Sequence, residues 1–200
     1  MSSSGGAGRE EPISQPTEQV TVGVMNLANS LTLLRILIVP FFVYALFHHE
    51  STSLFWRYVA TALFALASYT DRVDGQLARN RNTVTDFGTF LDPIADKALI
   101  GSALIGLSHL GQISWWVTVV ILIREFGITL LRLVVLRRGV IPASRGGKVK
   151  TLVQGFAIFF YLWPLPVAVN PARIALMSVA VVITVVTGLD YLKNALRRAD

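Results

Sequence analysis

The sequence predicts an all-α integral membrane protein with six transmembrane helices and both termini in the cytoplasm. Three observations predict it. Only 15% of the 200 residues are charged and 53% are hydrophobic, whereas soluble domains carry about 25% charge. Long stretches hold no Asp, Glu, Lys or Arg: 26 residues between Lys97 and Arg124, and 22 between Lys150 and Arg173. A helix across a ~30 Å hydrocarbon core needs about 20 residues. The cations also alternate in density from loop to loop. Arg79 and Arg81 follow the second apolar segment, Arg137, Arg138, Arg145, Lys148 and Lys150 the fourth, and Lys193, Arg197 and Arg198 the sixth. The intervening loops carry His48, His49, Glu50 and Arg57, then nothing charged from 109 to 114, then Arg173. An excess of Lys and Arg marks the cytoplasmic side. A soluble globule and a disordered chain are both excluded.

The elements follow in order. Residues 1–20 are rich in Ser, Gly, Pro and Glu and read as a disordered tail. No short apolar region with a small-residue cleavage site is present, so a signal peptide is not expected. Residues 21–200 form one membrane domain. Its apolar segments cover roughly 31–48, 54–71, 88–108, 114–136, 150–168 and 173–192. Helix is the state that satisfies backbone groups inside lipid. Pro40 is expected to kink the first segment, and Pro164 with Pro166 the fifth. Asp86 is placed as the N-cap of the third. Only a polar break, His109 to Ser114, separates the third from the fourth. Trp56, Trp115, Trp116 and Trp163 fall near segment ends, as interfacial anchors do. His48 and His49 read the same way. The net charge of +6 does not point to nucleic acid, because the cations are dispersed over loops. The absence of Cys excludes disulfide frameworks and thiolate metal sites.

The chemistry concentrates between Asp71 and Asp96. Asp71 and Asp74 are three apart at the cytoplasmic end of segment 2, and Asp92 and Asp96 four apart near the start of segment 3. Each pair shares a helix face, and antiparallel neighbours joined by a short loop can bring all four carboxylates together. Carboxylates in a transmembrane segment are costly, roughly 2.5–3.5 kcal/mol each on the lenient insertion scale, and four repel one another. Divalent cations would resolve both difficulties, and all-oxygen ligands favour Mg²⁺, Mn²⁺ or Ca²⁺ over zinc. The alternative is pairing with the intramembrane arginines Arg124 and Arg132. Gly75 and Gly88 allow a ligand close to the backbone, or close helix packing. Ala78 suits either role. Arg79 is placed for a phosphate, or serves as a topology charge. The Gly146-Gly147-Lys148 run is not a Walker A loop, because Pro142 stands where its first glycine belongs.

Asp71, Asp74, Gly75, Ala78, Arg79, Gly88, Asp92 and Asp96 match D-x2-D-G-x2-A-R-x8-G-x3-D-x3-D without a mismatch. The chain therefore resembles the CDP-alcohol phosphotransferase family, known for this site and for six transmembrane helices. Further stretches are similar to the phosphatidylglycerophosphate synthase branch of that family: Asn29 to Arg35 (N-x2-T-x2-R), Asp92 to Lys97, Arg124-Glu125, Ser144 to Gln154 (S-x2-G-K-x-K-T-x2-Q), and Gly188 to Leu192. The likeness covers about residues 26–192. Arg72-Val73 departs from the commoner Trp followed by Phe or Leu, at positions that vary.

The resemblance implies transfer of the phosphatidyl group of CDP-diacylglycerol to glycerol 3-phosphate at the inner cell membrane, with the active site facing the cytoplasm. It implies two Mg²⁺ or Mn²⁺ ions held by Asp71, Asp74, Asp92 and Asp96, with Asp96 also the general base. It implies that Gly75, Ala78, Arg79 and Gly88 hold the cytidine diphosphate, helped by Thr85 and by a turn at Asn29–Thr32. The dianionic acceptor needs cations, and Arg124, Arg145 and Lys148 are the candidates. For Arg145 and Lys148 the alternative is topology and attraction to anionic lipid; for Arg124 it is a salt bridge to Glu125 or Asp71. Inositol phosphate, serine or phosphatidylglycerol remain rival acceptors. Family members are often homodimers, although no residue here marks a dimer face. A small cation transporter is the reading of a different class, but no acidic residue marks the outer half of segment 3 or 5.

Overall fold

A computed structural model describes residues 27–48, 53–80, 86–136 and 145–196, with side chains over 30–48, 53–73, 91–131 and 149–194. Six helices follow one another: α1 (Leu27–Phe47), α2 (Leu54–Asn80), α3 (Asp86–His109), α4 (Trp115–Leu136), α5 (Arg145–Leu162) and α6 (Asn170–Leu196), the last preceded by a 3-10 turn, Val167–Val169. α1 packs along both α2 and α3, α4 lies against α3 and α6, and α5 touches α2, α3 and α6.

The buried positions of α1 are Thr32, Arg35, Ile38, Phe42, Ala45 and Leu46. Steps of three and four put them on one stripe. The apolar part meets Phe64 of α2, Leu104 and Leu107 of α3, Ile121 of α4, Ile158 of α5 and Met177 of α6 in one core. The Phe42 and Phe64 rings are 5.9 Å apart. Small residues let the helices approach, among them Ala60 and Ala67 on α2 and Ala95 and Ala103 on α3. A Cβ at Gly106 would overlap the side chain of Leu46.

The outward faces are apolar too. Leu37, Phe41 and Tyr44 on α1, Ile123, Phe126 and Leu130 on α4, and Val182, Val186 and Leu189 on α6 are all exposed. By length and composition, Ser30–Phe47 and Val167–Asn194 can each cross a bilayer, both with mean hydropathy 2.1. Val149–Leu162 in α5 is apolar but shorter. α2, α3 and α4 carry charged residues inside the helix.

Several boundaries differ from the expected ones, each for a local reason. α2 runs past Asp71 to Asn80, so both aspartates of its pair lie within the helix. Asn29 and Thr32 are helical, not a turn, because α1 begins at Leu27. α5 begins at Arg145, so Arg145 and Lys148 stand in its first turn and not in a loop. α5 ends at Leu162, so Pro164 and Pro166 do not kink it. Residues preceding proline disfavour helical backbone, and both Trp163 and Leu165 precede one. α1 is continuous through Pro40. Asp86 is the first residue of α3; its side chain lies outside those described.

The α3–α4 break closes in a Schellman arrangement. Gly111 has φ +67°, its N–H donates to the Ser108 carbonyl at 3.0 Å, and the Gln112 N–H donates to the Leu107 carbonyl at 2.9 Å. Left-handed backbone at this position favours glycine.

Packing of α1 on α3 yields a stability prediction. Gly106→Val should cost about 1–3 kcal/mol by overpacking, read as a lowered unfolding midpoint in detergent. Gly127, whose Cβ would meet nothing within 4 Å, should tolerate alanine, with a gain of at most about 1 kcal/mol from helix propensity.

Candidate active site

α1 carries a single charged residue, Arg35, whose side chain is wholly buried. A charge inside an apolar helix requires a partner. Arg35 finds it in α2: Nη1 lies 2.6 Å from Asp71 Oδ1. One turn earlier on the same stripe, Thr32 Oγ1 donates to Asp92 Oδ1 of α3 at 2.6 Å. The polar end of the α1 stripe thus ties together the two helices that carry the aspartates. The charges of Asp71 and Asp92 interact, as do those of Asp71 and Asp96.

Asp96 also faces a second group of charges, feeling Lys97, Glu125 and Lys150. Glu125 on α4 is the centre of that group. Its Oε1 accepts from Lys150 Nζ of α5 and from Arg124 Nη1 at 3.4 Å. Arg124 Nη2 donates to Thr187 Oγ1 of α6 at 3.3 Å, and that hydroxyl donates to the Ile183 carbonyl at 2.7 Å. Gly188 makes room for Arg124, since a Cβ there would sit 3.0 Å from Arg124 Cγ. Asp96, Glu125, Lys150 and Gln154 line a cavity of about 10 Å³, room for one water-sized group.

Asp71 and Asp92 are thus both held from α1, Asp71 by Arg35 and Asp92 by Thr32. Arg124 pairs with Glu125, while the arginine on Asp71 is Arg35 from α1. Asp74, Gly75, Ala78 and Arg79 follow Asp71 on α2, Gly88 opens α3, Asn29 lies in the first turn of α1, Arg132 is on α4, and Arg145 and Lys148 begin α5. The side chains of these nine lie outside those described, as does the whole of Thr85. Among the described residues no three acidic or histidine side chains form a metal-sized group.

The donors present are nonetheless those a hard divalent cation takes, carboxylate oxygens alone. The Arg35 and Thr32 contacts engage Oδ1 of Asp71 and Oδ1 of Asp92. The sequence offers Glu125 only as a salt-bridge partner for Arg124, which the structure shows, and assigns Arg35 no partner. The signal for both is the same, a charge within an apolar helix.

Comparison with known proteins identifies the family. The family model for CDP-alcohol phosphatidyltransferase matches residues 25–186. A probable phosphatidylglycerophosphate synthase of Mycobacterium tuberculosis is 57% identical over 177 residues, covering 87% of this chain and 83% of that protein. The CDP-diacylglycerol–glycerol-3-phosphate 3-phosphatidyltransferase of Escherichia coli K12 is 39% identical over 181 residues, covering 88% and 96%. The Bacillus subtilis enzyme of the same name is also 39% identical, covering 84% and 94%. The matched region runs from α1 into α6 and takes in every aspartate of the motif, so the chain belongs to the CDP-alcohol phosphatidyltransferase family.

Proposed function

We propose that the enzyme transfers the phosphatidyl group of CDP-diacylglycerol to glycerol 3-phosphate, giving phosphatidylglycerol phosphate and CMP. The observation that carries this reading is that α1 holds Asp71 through Arg35 and Asp92 through Thr32, while Asp96 feels the charges of Asp71, Lys97 and Lys150. The names of the Escherichia coli and Bacillus subtilis relatives support the acceptor.

Enzymes of the family depend on divalent metal ions in general. Two ions, Mg²⁺ or Mn²⁺, would be held by Asp71, Asp74, Asp92 and Asp96, and when bound they supply positive charge where the phosphoryl oxygens and the leaving CMP become more negative. Asp96 takes the proton from the acceptor hydroxyl. The hydroxyl oxygen bonds to the β-phosphorus, the bond from that phosphorus to the bridging oxygen breaks, and CMP departs with the electron pair. In-line positioning supplies much of the remaining acceleration. Arg35 and Thr32 hold Asp71 and Asp92 in place. Gly75, Ala78 and Gly88 give the cytidine diphosphate close access to the backbone, with Arg79, Asn29 and Thr85 beside it. Arg124, Arg145 and Lys148 hold the acceptor phosphate, Arg124 from the position that Glu125 and Thr187 give it.

The same proposal places residues 21–200 in the inner cell membrane as six spans, with both termini and the aspartates on the cytoplasmic side. The apolar outward faces of α1, α4 and α6 support it, because a soluble protein rarely exposes contiguous apolar patches beyond a few hundred Å².

CMP release from CDP-diacylglycerol by purified protein with Mg²⁺ or Mn²⁺ tests the reaction. Release is expected with glycerol 3-phosphate, and Asp96→Asn should lower it roughly 10²–10⁴-fold, the range of a lost general base. Release with serine, inositol phosphate or phosphatidylglycerol instead would overturn the acceptor and keep the site. No release with any acceptor would leave the aspartates without this job.

Arg145→Gln and Lys148→Gln should each raise KM for glycerol 3-phosphate about tenfold, the worth of one charged hydrogen bond. Unchanged values would remove both from the acceptor site. Thr32→Val should raise the Mg²⁺ concentration for half-maximal activity roughly tenfold, as loss of a ligand's supporting hydrogen bond does. A rise confined to KM for CDP-diacylglycerol would assign Thr32 to the nucleotide instead.

A further inference from the structure

The end of the bundle opposite the aspartates holds charge that the transfer reaction does not use. Arg57 lies in the first turn of α2, fourteen residues before Asp71, about 21 Å along the helix axis. Arg173 lies in the first turn of α6. Both line one cavity of about 390 Å³, together with Gln112, Tyr161 and Asn170. Arg173 is only 8% exposed. Its hydrogen bonds all go to neutral acceptors: Nη1 to Asn170 Oδ1 at 3.2 Å, and Nη2 to the carbonyls of Trp163 at 2.8 Å and Leu165 at 3.3 Å. Its Nε, also buried, has no partner. Arg57 Nη2 donates to the Tyr161 carbonyl at 3.5 Å, and the two guanidiniums feel each other's charge. Among the described residues no carboxylate pairs with either.

Two cations that share a cavity and meet only neutral ligands are uncompensated among the described residues, and burial makes that costly. An anion offsets the cost. A phosphate suits guanidinium groups best, through forked, charge-assisted hydrogen bonds. The neighbouring space narrows the choice. A second cavity of about 230 Å³ shares Gln112, Tyr161 and Ile174 with the first, and Trp116, Val117 and Met177 help to wall it. A charged pocket that continues into a largely apolar one fits a molecule with a phosphate head and an acyl tail.

We propose that Arg57 and Arg173 form a second binding site, for the phosphate group of an anionic phospholipid, at the end of the bundle opposite the aspartates. In the orientation given above this end meets the outer leaflet. Binding itself requires neither that orientation nor the transfer reaction.

The test uses the purified full-length chain in detergent, titrated separately with phosphatidylglycerol, phosphatidylcholine and inorganic phosphate. The unfolding midpoint and the lipid retained in native mass spectrometry are read. Phosphatidylglycerol should be retained and raise the midpoint, and phosphatidylcholine should do neither. Arg57→Gln should weaken retention roughly tenfold or more while CMP release stays unchanged. Arg173→Gln should act alike; should that variant fail to fold, Arg57→Gln decides. A midpoint rise with inorganic phosphate that matches the lipid's and disappears in Arg57→Gln supports the phosphate site and assigns it to the free ion. Equal retention of phosphatidylglycerol by the wild type and Arg57→Gln overturns the proposal. So does a loss of stability in Glu50→Gln equal to that in Arg57→Gln, with no effect of lipid, because the chain would then supply its own counter-charge.

Discussion

A charged group inside an apolar helix must meet its opposite, and the pairing of Arg35 with Asp71 is the contact from which the arrangement of α1, α2 and α3 follows. Arg35 is fully buried, so losing Asp71 would take a charged partner from a buried guanidinium, which is costly. α1 therefore lies where its polar stripe end reaches Asp71 on one side and, through Thr32, Asp92 on the other. The rest of the stripe, Ile38 to Leu46, then packs into the common core. One helix face does two jobs along its length: it orients carboxylates at one end and fills the core beyond.

The same constraint organises α4, α5 and α6. Glu125 would be costly alone in α4, and it binds cations from two directions, Lys150 and Arg124. Arg124 reaches α6 because Gly188 has no side chain in its path and Thr187 offers a hydroxyl. Asp96 lines a cavity with Glu125 and Lys150 and feels the charge of Asp71, so the proposed base is subject to both anionic and cationic neighbours. At the opposite end Arg57 and Arg173 obey the constraint least well among the described residues, with only carbonyl and amide oxygens around them. Polar groups that a fold leaves uncompensated are where a ligand has most to offer.

Much of this was legible in the chain itself. Six apolar segments are visible from composition, and a helix falls on each. The eight-residue motif places the aspartates three and four apart, and α1 contacts one of each pair, Asp71 and Asp92. Boundaries were less legible. Hydropathy ends segment 2 at Asp71, yet the helix continues to Asn80, because backbone hydrogen bonds propagate through polar residues as readily as apolar ones. Hydropathy also carries segment 5 to residue 168, whereas Pro164 and Pro166 end the helix at Leu162. Of the charge partners, only Arg124 with its neighbour Glu125 was legible. Arg124 and Arg132 are plausible mates for the aspartates by composition, but Asp71 meets Arg35, 36 residues earlier in the chain.

The sequence by itself determined the helical state, the apolar segments, the family motif and the carboxylate-rich chemistry, because each is set by residue type and by spacing within one helix or across one short loop. Only the tertiary structure decided which cation meets which carboxylate, that α1 bridges α2 and α3, and that Arg57 and Arg173 share a cavity. Those facts join residues far apart in sequence, and their distances depend on how helices pack, which the periodicity of any one helix does not contain.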